Sequence, residues 1–287
     1  MTSAVIAPAV VYEAARPDIV SLNQRLFQAA KAVGDSTGKP TYATVFLGSS
    51  VASSEVTMDS VLSNATALDC DGWYYGFEFP AERVPSNEND IYRSLSCGLT
   101  LAATGKPVLH GYAGLNGLLS QGFGATGVAV GHSQNLWKFS RERWEPPAGS
   151  GGGGDAPPRF FSTELWGTLI FPDESQQLRE DLRSLILTQS PFSQQLTPGL
   201  WSRWDANKHL IYLICSTIDS MSDTATAREC CERALEILDN AIDRHEDIEE
   251  ELIDLKDDTN IYQESWRDAV RRLLADNGDD FDFLELM

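Results

Sequence analysis

Residues 72–83 read GWYYGFEFPAER, and how this stretch is read decides the fold. Continuous apolar and aromatic character over 72–79, stopped by Pro80, suits a strand covered on both faces. Working outward, similar runs occur at Val5–Ala14 (VIAPAVVYEA), Thr41–Ser50 (TYATVFLGSS), Pro107–Gly114 (PVLHGYAG) and Ala125–His132 (ATGVAVGH). Between them lie amphipathic stretches, Ile19–Val33, Met58–Leu68, Asp90–Thr104 and the short Leu115–Gln121, each punctuated by Gly, Asn or Pro before the next strand. Strand and helix therefore alternate, as in a parallel sheet built from right-handed crossovers.

Such strands fit a TIM-type barrel or an open doubly wound sheet. Polar residues at the strand ends (Glu13, Ser49, Ser50, Glu78, His110, His132) and the lack of a G-x-G-x-x-G after the first strand favour the barrel. Five strands cannot close an eight-stranded barrel. The expectation is an α/β chain with a partial or open TIM-like (β/α) barrel over 1–144. Either the barrel stays open, a second chain supplies the rest, or the C-terminal region covers the gap. Residues 145–158, EPPAGSGGGGDAPP, read as a Gly/Pro linker. Beyond it the pattern turns helical over 159–276, at Ser175–Thr188, Ala206–Met221, Thr224–Leu255 and Ile261–Ala275, with one strand run at Trp166–Phe171. An acidic tail occupies 277–287, and this end of the chain reads as a helical cap or partner-binding module.

The 287 residues are 42% hydrophobic and carry a net charge of -20, from 22 basic and 42 acidic side chains. That balance disfavours casual adhesion to nucleic acid or anionic membrane. The charge is uneven, however. Residues 236–287 hold 18 acids and 5 bases, whereas residues 1–147 hold 13 and 10, so the strand-bearing part can admit an anionic substrate. No run approaches the length of a membrane span, and the first residues lack a signal-peptide pattern. Five cysteines without C-x-x-C suit a reducing compartment, so a cytoplasmic protein is expected. Neither zinc-ligand spacing nor a Walker, H-E-x-x-H, EF-hand or G-x-S-x-G motif occurs, and no metal or cofactor is expected.

Three constellations can carry chemistry. Glu78 shares a strand face with Tyr74 and Gly76 and reaches the strand end beside Arg83. It reads as a catalytic carboxylate or as the partner of Arg83 in a loop ion pair. His110 and Tyr112 fall on one face at the end of the fourth strand, where Gly111, Gly114 and Gly117 allow close backbone approach to a ligand and Asn116 can cap the short helix that follows. The alternative for His110 is a satisfied core histidine. Finally His132, Gln134, Asn135 and Trp137 can read and stack a planar base, with Lys138, Arg141 and Arg143 near phosphate. The alternative is core packing for Trp137 and a solvated basic face. Ser49 and Ser50 add donors at the same rim.

The runs Asp71–Phe79, Gly105–Gly114 and Gly122–His132 resemble, in layout, the later strand-helix units of TIM-barrel proteins of the tRNA-guanine transglycosylase type. The resemblance spans about residues 1–145. It implies a barrel carboxylate acting at an anomeric carbon as a base leaves, and Glu78 is the strand-end acid matching that role, a glutamate where the family has aspartate. The family's Cys/Cys/Cys/His zinc module has no counterpart.

The expectation is a glycosylase-like enzyme acting on a base in DNA, RNA or a nucleoside. Glu78 is the carboxylate, His110 or Tyr112 assists the leaving base, and Ser49, Ser50, Arg83, Asn116, His132, Gln134, Asn135 and Trp137 hold substrate. Two alternatives stand beside it. One is a non-enzymatic protein, or a homo-oligomer, whose barrel another subunit completes. The other is a lyase with phosphate held at Gly111–Gly117, which lacks a strand-end lysine for a Schiff base.

Overall fold

The computed structural model of the chain describes residues 3–79, 84–131, 137–141, 157–193, 196, 200–222, 226–251, 253, 255 and 261–278. Strands β1 (Val5–Ile6), β2 (Thr41–Leu47), β3 (Gly72–Phe77), β4 (Val108–Gly111) and β5 (Gly127–Ala129) form one all-parallel sheet in the order β1-β2-β3-β4-β5. Helices α1 (Pro17–Thr37), α2 (Ser49–Ala52), α3 (Glu55–Thr66), α4 (Glu88–Ala102) and α5 (Gly117–Gly122) make the crossovers. Each strand adds beside its predecessor, whereas a doubly wound sheet reverses its order at a switch point. Crossovers of one hand then put every helix on one face of the sheet. The result is a curled half-barrel, the open form of the expected architecture.

Local chemistry sets the element ends. Pro17 opens α1, and Gly38, at φ 65°, closes it in the left-handed conformation. Ser54 and Asn87 cap α3 and α4 by accepting the N–H groups of Thr57 and Asp90. The first run, expected as one strand over 5–14, is broken. Pro8 supplies no N–H to a ladder, and the buried Asn23 of α1 holds the backbone of Val10 through bonds of 2.7 and 2.8 Å. The chain then rejoins β2 by a single parallel bridge between Tyr12 and Leu47.

Alternation along the strands separates two faces. Ala43, Val45 and Leu47 of β2 and Trp73, Tyr75 and Phe77 of β3 pack against Val20, Phe27, Met58, Val61, Leu62 and Leu101 of the helices. On the opposite, concave face each large side chain lies over a glycine of the next strand. A Cβ on Gly72 would meet the Tyr42 ring at 2.7 Å, one on Gly76 the Phe46 ring at 2.5 Å, and one on Gly111 the Tyr74 hydroxyl at 2.5 Å. We therefore expect Gly76→Val to lower the free energy of unfolding by about 1–3 kcal/mol in urea denaturation. An unchanged midpoint would mean that the aromatic rings do not rest on glycine.

After the linker, whose residues 145–156 lie outside the described set, come β6 (Arg159–Ser162), β7 (Gly167–Ile170), α6 (Glu180–Ile186), α7 (Arg203–Ser222), α8 (Ala227–Glu250) and α9 (Ile261–Asp276). β6 and β7 form an antiparallel hairpin. β6 is only four residues, RFFS, directly after the linker, too short to stand out as a strand run in the sequence. Helix α8 starts with a capping box between Thr226 and Glu229. Its buried stripe, with those of α7 and α9, shares one apolar core with Ile91, Leu95 and Leu99 of α4 and Leu118 and Leu119 of α5. The C-terminal helices thus stack behind the crossover helices as a third layer. Among the described residues their main contacts are with α4, α5 and β6. Among the described residues, no helix is long and apolar enough to cross a membrane.

Candidate functional site at the sheet rim

At the C-terminal end of the sheet, β3 runs on from Phe77 to Glu78, which bridges in parallel to Phe139. That pairing brings Arg141 onto the Glu78 carboxylate. Oε1 accepts the Arg141 Nε (2.8 Å) and backbone N–H (3.1 Å), and Oε2 accepts Nη2 (2.6 Å) and, more weakly, the Ser49 N–H (3.4 Å). Glu78 is 8% exposed, and this bidentate geometry satisfies its buried lone pairs. Nη1 of the same guanidinium pairs with Glu13, which is about two-fifths exposed. The hydroxyl of Ser50 donates to the Glu13 carbonyl at 2.5 Å. One arginine therefore sits between two carboxylates, and these three side chains carry a formal net charge of -1.

Below the cluster the concave face is aromatic. Phe46 packs on Tyr74 (5.4 Å between centroids), Tyr112 (6.0 Å) and Phe139 (4.7 Å), and Tyr112 meets Phe139 at 5.6 Å. Burial pushes the Tyr74 phenol above its ordinary pKa, with Tyr112 close by adding to the effect. Tyr74, Tyr112, Ala129, Val130 and Gly131 line a cleft of about 160 Å³. That is below the roughly 300–1,000 Å³ of sites for drug-sized ligands, and it suits a single planar ring system. Its lining includes two tyrosines and, among the described residues, no charged side chain.

Several expectations change. His110 and Tyr112 lie on opposite faces. The strand ends at Gly111, and Tyr112 adopts φ 54°, which turns its ring to the concave side. His110 points into the helix layer, stacked on Tyr75 at 4.4 Å and bonded through Nδ1 to the Ser120 hydroxyl at 2.6 Å. It is 1% exposed, and burial pushes its pKa down to about 3. It is a neutral core histidine with no route to the rim. Asn116 precedes α5 but makes no side-chain cap bond and is buried.

Trp137 is 3% exposed in the helical core and donates its indole N–H to the Gly131 carbonyl at 2.9 Å, so no ring face is open for stacking. Its backbone fills the space over Gly114, where a Cβ would lie 2.7 Å from the Trp137 carbonyl oxygen. The Gly111–Gly117 loop is thereby closed by protein, against the phosphate reading. Among the described residues Glu78 has Arg141 as its ion-pair partner. Arg83, His132, Gln134 and Asn135 lie outside the described residues. Of the expected set, the structure brings Glu78, Ser49, Ser50 and Tyr112 to one end of the sheet.

A larger groove of about 290 Å³ lies between the β6–β7 turn and helices α7 and α8. Apart from Glu164 its hydroxyls and charges are already engaged, Thr163 with Thr188, Thr217 with Leu213, Ser220 with Thr217 and Arg233 with Glu236. The Ser190 hydroxyl sits 2.7 Å from His209 Nδ1, but His209 is fully buried and its Nε2 bonds the Phe161 carbonyl at 2.8 Å, so this pair is structural. Among the described residues, no group of three His, Cys, Asp or Glu side chains is arranged to hold a metal ion. Comparison with protein-family models, with curated proteins and with solved structures finds no match to this chain.

Proposed function

We propose that the rim and concave face form the site of a glycosylase-like enzyme that hydrolyses the N-glycosidic bond of a base in a nucleoside or nucleic acid. The observation that carries this reading is the Glu13–Arg141–Glu78 cluster. Two carboxylates share one guanidinium beside a tyrosine-lined cleft, at the end of the sheet where such folds do their chemistry. The excess negative charge suits a transition state in which the sugar becomes oxocarbenium-like. It does not suit a bound phosphate.

In this reading the base lies against Tyr74 and Tyr112, and the tyrosine hydroxyls are the donors available to it as the C–N bond breaks and its electrons pass to the base. Glu78, held by Arg141 and two backbone N–H groups, is the fixed negative charge. Glu13, the more exposed carboxylate, takes a proton from the attacking water, whose oxygen bonds to the anomeric carbon. Water is consumed, and free base and a sugar hydroxyl are formed. The layout resemblance to the transglycosylase type agrees with this chemistry, with Glu78 as its strand-end acid. The test is to incubate the purified chain with modified and unmodified DNA, RNA and nucleosides and to search for released base by mass spectrometry. Release that disappears in Glu78→Gln is expected, and absence of release across the panel would overturn the reading.

A second reading draws on the sheet edges. Among the described residues β1 and β5 each pair on one side only, which favours completion of the half-barrel by another subunit. Its measure is mass in solution, since a monomer at all concentrations excludes obligate completion by a second copy.

A further inference from the structure

Helix α7 carries an aromatic face that no other described element covers. Trp204 is 64% exposed, Tyr212 41% and Phe192, in the preceding loop, 40%. They form one surface. The Lys208 ammonium lies 5.0 Å from the Trp204 ring centroid and 5.7 Å from that of Phe192, and the Phe192 and Tyr212 rings meet edge to face at 6.0 Å. Residues 204, 208 and 212 follow one helix face at spacings of four, and Ile211, 40% exposed, widens it. Together these side chains expose on the order of several hundred Å² of mainly apolar surface, a size that marks interaction sites. Asp205 and Asp219 bound a stretch of α7 with no acidic residue, while Arg203 and Lys208 are basic. In a chain of net charge -20, this apolar and cationic face stands out.

The chain contains its complement. Residues 279–287, DDFDFLELM, which lie outside the described set, combine four acids with five apolar residues and no base. We propose that the Trp204–Lys208–Tyr212 face docks the acidic, aromatic segment 279–287 of a second copy of this chain. Phe281 and Phe283 would cover the exposed rings, and the flanking aspartates would meet Lys208.

Geometry favours a second copy over the chain's own segment. Gly278 is tethered through its carbonyl to Arg228 in the first turn of α8, next in sequence to the end of α7. At 1.5 Å per residue, Lys208 lies about 21 Å along α7 from Ser222. A fully extended chain carries Phe281 only about 10 Å and Phe283 about 17 Å beyond Gly278. Both reaches are shorter than the distance of about 21 Å between Lys208 and the α8 end of α7, which favours a second copy.

The test uses the full chain. Sedimentation equilibrium is expected to give a dimer whose dissociation constant rises at least about tenfold in Lys208→Glu. The double variant Asp280→Lys/Asp282→Lys should weaken it likewise, and combining the two changes should restore it. A labelled DDFDFLELM peptide should bind the Asp280→Lys/Asp282→Lys protein and slow alkylation of the exposed Cys215, one turn beyond Ile211 and Tyr212. A chain that is monomeric at every concentration would overturn the proposal. So would a dimer indifferent to Lys208→Glu, the behaviour expected of sheet-edge completion. Peptide that fails to bind, or Cys215 protection in a monomer, which would mean that the chain's own segment occupies the face, would overturn it as well.

Discussion

Lowering the pH from 6.5 towards 4 is expected to destabilise this protein steeply through buried histidines, His110 and His245 with the largest pKa shifts and His209 also lowered. Burial pushes His110 down to a pKa of about 3 and His245 down to about 4, from an ordinary value of 6.5. Both are therefore neutral in the folded chain across this window, whereas each binds a proton once unfolded. The unfolded state then holds more protons, so the stability these groups contribute is complete above about pH 6.5 and falls as the pH drops. Each contributes about 1.4 kcal/mol per pH unit, or together about 2.7. Two pH units thus remove roughly 5 kcal/mol from a total typically near 5–15. Urea titrations at successive pH values measure the slope directly. His110→Phe, which retains an aromatic ring against Tyr75, should lower it by about 1.4 kcal/mol per pH unit. A stability independent of pH between 6.5 and 4.5 would contradict the assignment of both imidazoles as buried and neutral.

The second large effect concerns Trp166, in the turn between β6 and β7. Its side chain is fully buried at an unusual backbone φ of 39°. Its indole N–H donates to the Leu115 carbonyl at 3.0 Å, and its own carbonyl accepts the Tyr262 hydroxyl at 2.8 Å. One residue thereby ties the hairpin to the helix layer behind the sheet and to α9. Trp166→Ala removes a large core side chain and leaves a cavity, which costs about 3–5 kcal/mol. Thermal or urea denaturation should report that loss, with the concave face untouched because the indole packs on its far side. A loss below about 1 kcal/mol would mean that the third layer is not integral to the fold.

The half-barrel is legible in the sequence because strands covered on both faces read as continuous apolar runs, and their helices as amphipathic stretches. Strict alternation in 72–79 puts Tyr74 and Glu78 on one side, as the structure has them. What alternation cannot register is a change of backbone hand, and a single positive φ at Tyr112 sends it and His110 to opposite faces. Nor does local pattern encode long-range pairing. Local sequence offers Glu78 only Arg83, five residues on, whereas Arg141, 63 residues away, is brought to it by the bridge to Phe139. Trp137 was legible as a large ring beside polar neighbours. Its burial depends on Gly114 leaving room for its backbone, which the sequence does not express. The third layer hides for a similar reason. The stripe Cys230, Ala234, Leu238, Ala241 in α8 announces a buried face, but not that α4 and α5 lie beneath it.

The central claim is that the carboxylates at the end of the sheet cleave an N-glycosidic bond. Its most direct measurement is the rate of free-base release by the intact chain compared with Glu78→Gln, on the substrate from the panel that yields most product. The predicted result is release by the wild-type chain, lowered at least about 100-fold in the variant, with an unchanged circular dichroism spectrum. Equal rates in the two proteins, or no base released from any substrate, would contradict it.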